Sequence, residues 1–269
     1  SNFRARAGTV SRAVRGREFG AAIDMRKKIA AAGFPVAVSP ETVPLQDKVA
    51  LVRRADEAAR GMDGRVRQVM VVYRDGRVKT QIANSLGDFI ETGRTGTVFL
   101  TQVVASQGDV IQTGYEPIGA CRGFELFGER SPEEVACAAA GRALLMLSAA
   151  KAPAGMMPVV LSSEAGGTMV HEAIGHGLEA DLAQAGMSVY AGRIGTVVAS
   201  PLVTVIDDPT IPHARGSYTH DDEGVPSRKT VLVENGVLKG YLYDRLSAMK
   251  DGCRSTGNGR RESYHARPI

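Results

Sequence analysis

Within Gly166–Asp181, GGTMVHEAIGHGLEAD, three chemistry-bearing residues fall in the order His171, Glu172, His176. Two imidazoles and a carboxylate are the parts of a metal hydrolase: neutral histidine nitrogens hold a zinc-type ion, and the carboxylate beside them takes a proton from water. Their spacing constrains the backbone. In the common H-E-x-x-H pattern the histidines stand four residues apart, on one helical face. Here they stand five apart, H-E-x-x-x-H. At about 100° per residue, five steps turn roughly 140° around a helix axis. A regular α-helix therefore points the two rings away from each other. Bringing them together demands a local defect, either a π-bulge that adds one residue to a turn or a distortion near Gly175 and Gly177, where backbone freedom is greatest. The same stretch also admits a plain amphipathic helix, with Val170, Ile174 and Leu178 as its buried stripe.

The rest of the chain sets bounds on what such a motif could serve. At 269 residues, with 43% hydrophobic and 23% charged, it is long enough for one large or two ordinary globular domains. The absence of Trp and an aromatic content of 5% argue against base-stacking platforms and so against nucleic acid as the main ligand. Cys121, Cys137 and Cys253 are scattered and odd in number, which argues against a disulfide framework and for a reducing cytoplasm. No stretch reads as a membrane span; the most apolar helix candidate, Val135–Ala150, is interrupted by Arg142. The net charge of +4 is uneven: residues 1–38 carry eight Lys/Arg and two Asp/Glu. That basic segment reads first as a solvated helix face and tail, and secondly as a contact for nucleic acid or an acidic partner.

Taken in order, the chain predicts a helix over Glu18–Ala32, a short strand at Val36–Val38 and a helix over Gln46–Arg60. A β-rich run follows: Val66–Tyr73, Arg77–Ala83, Phe89–Glu91, Thr95–Ala105 and Val110–Tyr115. Asp75-Gly76, Asn84–Asp88 and Gln107–Asp109 punctuate it as turns of an antiparallel meander. Ser131-Pro132-Glu133-Glu134 is a helix start, with an N-cap, Pro at the first helical position and acids in the first turn. The small-residue face that follows suits close packing on a sheet. Past the Pro/Gly-rich Lys151–Pro158 come a strand at Val159–Ser162, the motif helix and a strand over Leu202–Asp207. A hairpin about Asn235-Gly236 and a short helix over Tyr243–Lys250 complete the series. The fold class expected is α+β. An antiparallel meander with flanking helices precedes a second, mainly antiparallel β domain that carries the motif helix. The expected divisions are a basic segment and helix at 1–40, a meander domain at 41–150, and a motif-bearing domain at 151–269.

Three stretches together carry a resemblance: Gly167–Asp181, the acidic Asp221–Gly224 with ENGVLKGY downstream of it, and TGNGRRESY at Thr256–Tyr264. They resemble the TldD/PmbA family of metallopeptidases, and the TldD branch in particular, because the PmbA (TldE) branch lacks the H-E-x-x-x-H set. The resemblance implies a zinc-dependent peptidase acting on unfolded or extended peptides, paired with a TldE/PmbA-type subunit or with itself. It also implies links to peptide-antibiotic maturation, antitoxin turnover and DNA gyrase modulation. Carried over residue by residue, it makes His171 and His176 zinc ligands and Glu172 the general base. The family's third ligand, a cysteine far downstream of the histidines, does not carry over onto Cys253, which lies just before TGNGRR. The alternatives are a peptide- or partner-binding chain without competent metal chemistry, and a gyrase-directed regulator supported by the basic first residues.

Other residues with chemical potential are His220 with Asp221 and Asp222, as a second metal site or as support for the first ligands. The bland reading of these acids is a solvated loop. Arg260 and Arg261 could grip a substrate carboxylate or backbone, or form a solvated turn. Gly166-Gly167 lacks the lysine and spacing of a phosphate loop.

Overall fold

The computed structural model describes residues 29–84, 86–263 and 265–269, with the backbone alone at residues 29–32, 164 and 165. Most of the expected helix over Glu18–Ala32, and most of the basic segment, lie outside these residues. Its last four residues do not continue a helix. Ile29–Ala32 form strand β1, parallel to Phe89–Thr92. The alanines there favour a helix, but the neighbouring strand satisfies every other backbone group, and tertiary context overrides a weak local preference. Val36–Val38 form no strand, and a short helical turn follows at Pro40–Thr42.

Helix α1 is Leu45–Gly61. The meander is longer-stranded than its turn signals suggest. Strand β2, Val66–Ala83, runs straight through Asp75-Gly76, and β3, Phe89–Gln107, absorbs two expected strands. Asp75 lies opposite Thr97, and Gly76 opposite Gly96. Asp75 is held by Lys48 of α1 at 2.5 Å rather than by the backbone of a turn. The turn between β2 and β3 is Asn84–Asp88, where the Asn84 side chain accepts from the amides of Leu86 and Asp88. Strand β4, Val110–Ala120, returns antiparallel to Thr97–Gln107. Along β3, then, β2 occupies one edge throughout, while β1 and β4 share the other.

Helix α2, Pro132–Met146, opens with the expected cap: the Ser131 hydroxyl accepts from the Glu134 amide and the Glu134 carboxylate accepts from the Ser131 amide. Its buried face is Val135, Ala136, Ala139, Ala140 and Ala143. These pack with Leu51, Ala55 and Ala59 of α1 over Phe99, Val103 and Ala105 of β3. The approach is close because Gly114 of β4 has no side chain; a Cβ there would sit 1.9 Å from the Ala139 carbonyl oxygen. Glu116 is buried at 7% exposure between Arg130 and Arg142, at 2.6 and 2.5 Å.

The second half has its own core. Helix α3, Ser163–Val170, leads into the motif turn, and helix α4, Ala180–Gln184, follows it. The expected strand at Val159–Ser162 is irregular and exposed, since no neighbouring strand pairs with it among the described residues. Strands β5, Val205–Asp207, β6, Thr230–Glu234, and β7, Val237–Leu238, form a small antiparallel sheet. Its hairpin turns at Asn235 and Gly236, with φ of 49° and 81°, the doubly positive geometry that favours these two residue types. Helix α5, Arg245–Lys250, is capped by Asp244, whose carboxylate accepts from the Ser247 amide at 2.7 Å. Leu178, Ala180, Leu232, Val233, Leu238, Tyr241 and Tyr243 build the core between these pieces. Helices with antiparallel sheets make this an α+β fold; among the strands of the described residues, β1 is the parallel one.

Candidate metal centre

Helix α3 carries the chain to Val170, and the hydrogen bonding then widens. His171–Gly175 form a π turn, followed by a 3-10 turn at His176–Leu178. The His176 amide donates to the His171 carbonyl, an i to i+5 bond in place of the usual i to i+4. One extra residue is thereby taken up within a turn, and His171 and His176 return to one face. Their ring centroids lie 4.4 Å apart. One potential ligand atom from each of His171, Glu172 and His176 falls within 4.8 Å of the others, and all three side chains are exposed.

The glycines of the motif act by size. Gly175 has ordinary helical angles, φ −58° and ψ −58°, so its backbone freedom is unused. A Cβ there would press on His171 Nδ1 at 3.1 Å. At Gly177 a Cβ would meet the Tyr190 ring at 2.8 Å. Of the amphipathic stripe, Leu178 is fully buried, Ile174 packs partly against the second core, and Val170 is exposed. The motif is thus anchored at its C-terminal end, while its N-terminal end faces out.

Glu179 is the residue that sequence reasoning missed. His176 Nδ1 lies 2.8 Å from Glu179 Oε1. A carboxylate only accepts, so the imidazole donates from Nδ1 and keeps Nε2 free. This is the arrangement by which an outer carboxylate orients a metal-bound histidine. The Glu179 hydrogen bond raises the His176 pKa above its ordinary 6.5; the nearby Glu179 and Glu172 charges add to this and desolvation opposes it. Glu172 Oε2 stands 3.9 Å from His176 Nε2. An acid three residues after the second histidine, at helical spacing, was the available signal. The donor set suits a zinc-type ion at two coordination positions, with a carboxylate at hand. Among the described residues, no other His, Cys, Asp or Glu joins the group, and Cys253 lies exposed outside it.

The other candidate residues gather elsewhere, around one another. Asp221 is 1% exposed and accepts from the amides of Glu223, Val225 and Gly259 at 3.0, 2.8 and 3.0 Å. Burial pushes its pKa up and these amides oppose the shift. Asp222 accepts from Arg260 Nε at 3.1 Å and from the Arg261 amide at 2.8 Å. Arg260 also lies over the Tyr218 ring, 4.2 Å from its centroid. The acidic run and the TGNGRR segment, distant in sequence, therefore clasp each other. Burial pushes Tyr218 up to about 12, consistent with a phenol that donates to the Gly257 carbonyl at 2.8 Å. His220 is half-buried, and burial lowers its pKa. It lines two grooves flanking the clasp.

Two family models match the chain. Residues 38–147 match the PmbA/TldA metallopeptidase central domain, and residues 154–269 match the PmbA/TldA metallopeptidase C-terminal domain. The chain belongs to the TldD/PmbA family of metallopeptidases. Among family relatives, a metalloprotease TldD homolog of Buchnera aphidicola is 38% identical over 231 residues, covering 83% of this chain and 48% of the relative. A metalloprotease of Methanothermobacter thermautotrophicus is 40% identical over 221 residues, covering 82% and 48%. The chain thus spans about half the length of the curated relatives it matches. A crystal structure from Thermotoga maritima, described as a candidate modulator of a DNA gyrase, aligns with TM-score 0.76 and 30% identity, over 87% of this chain and 53% of that one. TldE from Thermococcus kodakarensis shares the fold, with TM-score 0.59 and 20% identity, over 93% and 57%. No described helix is long and apolar enough to cross a membrane.

Proposed function

We propose that this chain carries the catalytic centre of a zinc peptidase that cleaves unfolded or extended peptides. The observation that carries this reading is the π turn, whose i to i+5 bond joins His171 to His176 and gathers two imidazoles and a carboxylate within 4.8 Å. A helix with no chemistry to serve gains nothing from such a defect. A zinc ion held by His171 and His176 would polarise a peptide carbonyl and acidify water. Glu172 would take the proton of the attacking water on its carboxylate and pass it to the leaving amine. Glu179, 2.8 Å from His176 Nδ1, would hold the ring and leave Nε2 as the ligand atom. An extended substrate is expected to pair with a sheet edge beside the motif, which suits loose sequence preference.

The division near Lys151 would separate a meander unit from the unit bearing the centre. A TldE/PmbA-type subunit is the proposed partner, supported by the likeness to TldE, and the cytoplasm the proposed compartment. A second reading, peptide or partner binding without hydrolysis, is favoured by one observation: Met156, Val160, Leu161, Met169 and Val170 are all exposed around the motif helix. Bound zinc and cleavage of unfolded peptides, with and without a TldE-type partner, separate the two. The peptidase reading expects zinc in both wild type and Glu172→Ala, and cleavage reduced about 10²- to 10⁴-fold in the variant. Absence of zinc and of cleavage with partner present would leave only the binding reading.

A further inference from the structure

Beyond the histidine pair, the second half of the chain holds a groove of about 720 Å³ between the loop after His220 and helix α5, within the size range of ligand pockets. Arg228, Arg245 and Arg254 line it, Asp88 is the carboxylate among its lining residues, and Ile90 and Met249 supply apolar wall. Asp221 and Glu223, behind the lining, act on Arg245 together with Asp88, so the cationic excess of the groove comes from Arg228 and Arg254. Arg245 reaches Asp88 loosely, at 3.8 Å, and its buried Nε has no acceptor. Among the described residues Arg228 bonds a backbone carbonyl, that of Ser255, at 2.9 Å, and neither it nor Arg254 is ion-paired. Arg228 and Arg254, in one concavity with Arg245 and with their own planar donors unspent on protein carboxylates among the described residues, match a carboxylate ligand.

The groove is also tied to the motif through the backbone. Leu242 donates to Leu178 at 2.8 Å and accepts from Ala180 at 2.9 Å, and Arg245 follows three residues after Leu242. Summing Cα spacings of about 3.8 Å and one strand separation of about 5 Å puts Arg245 within about 25 Å of His176. Roughly eight extended residues at about 3.3 Å each span that distance.

We propose that this groove is a subsite for a peptide carboxylate, either the C-terminal group or an acidic side chain, held by Arg228, Arg245 and Arg254. The proposal rests on the peptide-substrate reading above. It gives that substrate class a polarity: the acidic end lies over α5 while the chain runs toward the histidine pair.

The test is fluorescence anisotropy with end-labelled octapeptides on the full chain carrying Glu172→Ala, so that nothing is cut. Three peptides alike but for the C-terminal residue or its end group are compared: the free acid, the C-terminal amide, and the amide with its last residue replaced by Glu. The free acid or the Glu-bearing amide should bind about tenfold tighter than the plain amide. Whichever of the two shows the gain identifies the carboxylate. Arg254→Ala should cut that ratio to about threefold, and Arg228→Ala/Arg254→Ala should bring it to about one. Equal binding of all three peptides overturns the subsite, as does a ratio that survives in the double variant. Cleavage by the wild type is read separately. Cleavage without a carboxylate preference removes the subsite and leaves the peptidase. A preference without zinc or cleavage keeps the subsite and removes the peptidase.

Discussion

Glu179 links the acid–base behaviour of His176 to its readiness for metal. Its hydrogen bond raises the His176 pKa above 6.5, so in the metal-free protein this contact favours the folded state fully below about pH 6.5. That contribution is lost as pH rises through the raised value. Zinc needs the neutral ring, so loading runs the other way and falls as pH drops through the same value. An NMR titration of the metal-free protein should place the His176 midpoint above 6.5, and Glu179→Gln should move it down. The same variant should weaken zinc binding about 10- to 100-fold, the usual effect of removing an outer carboxylate, as measured by competition with a chelator. Gly175→Ala makes a separate prediction. Its backbone is helical and compatible with alanine, so thermal stability should hold. The new Cβ, 3.1 Å from His171 Nδ1, should push the exposed ring aside and lower zinc affinity about tenfold. At this scale the histidines and Glu172 were legible because their types and order announce the chemistry. Glu179 was signalled only by its place three residues after His176, and one acid among 29 Asp and Glu gains its role only when its distance to a ring nitrogen is known.

Elements were legible where a local signal carried its own geometry. The Ser131 capping box and the Asn235-Gly236 hairpin are satisfied within a few residues, and both form where expected. Ser131→Ala should cost about 1 kcal/mol in chemical denaturation, the typical effect of losing an N-cap. Asp75-Gly76 misled because a dipeptide that turns a hairpin can equally lie within a long strand. Its fate was settled by Thr97 and Gly96 opposite it and by Lys48. The small-residue face of α2 pointed to close packing, but the depth of that packing lies in Gly114. Gly114→Ala would set a Cβ 1.9 Å from the Ala139 oxygen and 2.6 Å from the Ala143 nitrogen. Both are backbone atoms that cannot rotate away, so helix and sheet must separate. The expected loss is about 1–3 kcal/mol, read as a lower denaturation midpoint.

For the whole molecule, the two buried clusters leave the approach to the motif uncovered. Met156 and Val160 are wholly exposed, and Leu161, Met169 and Val170 lie open beside them. Several large apolar side chains exposed within fifteen residues mark a surface suited to a partner or to substrate. Hydrogen exchange over residues 155–170 should therefore be fast in the isolated chain and slow when a TldE-type subunit is added; unchanged exchange would detach this face from assembly. Sequence alone determined the family, the fold class, the helix start at Ser131 and the need for a defect at a five-residue histidine spacing. Each of these follows from residue types at short separations, where covalent geometry limits the outcomes. Tertiary structure alone decided which defect occurs, which acid orients His176, and that Asp221 and Asp222 grip the segment around Arg260. It also decided that three arginines line one groove. Those depend on groups far apart in the chain meeting at distances of a few ångströms, which only the packing of the whole fold determines.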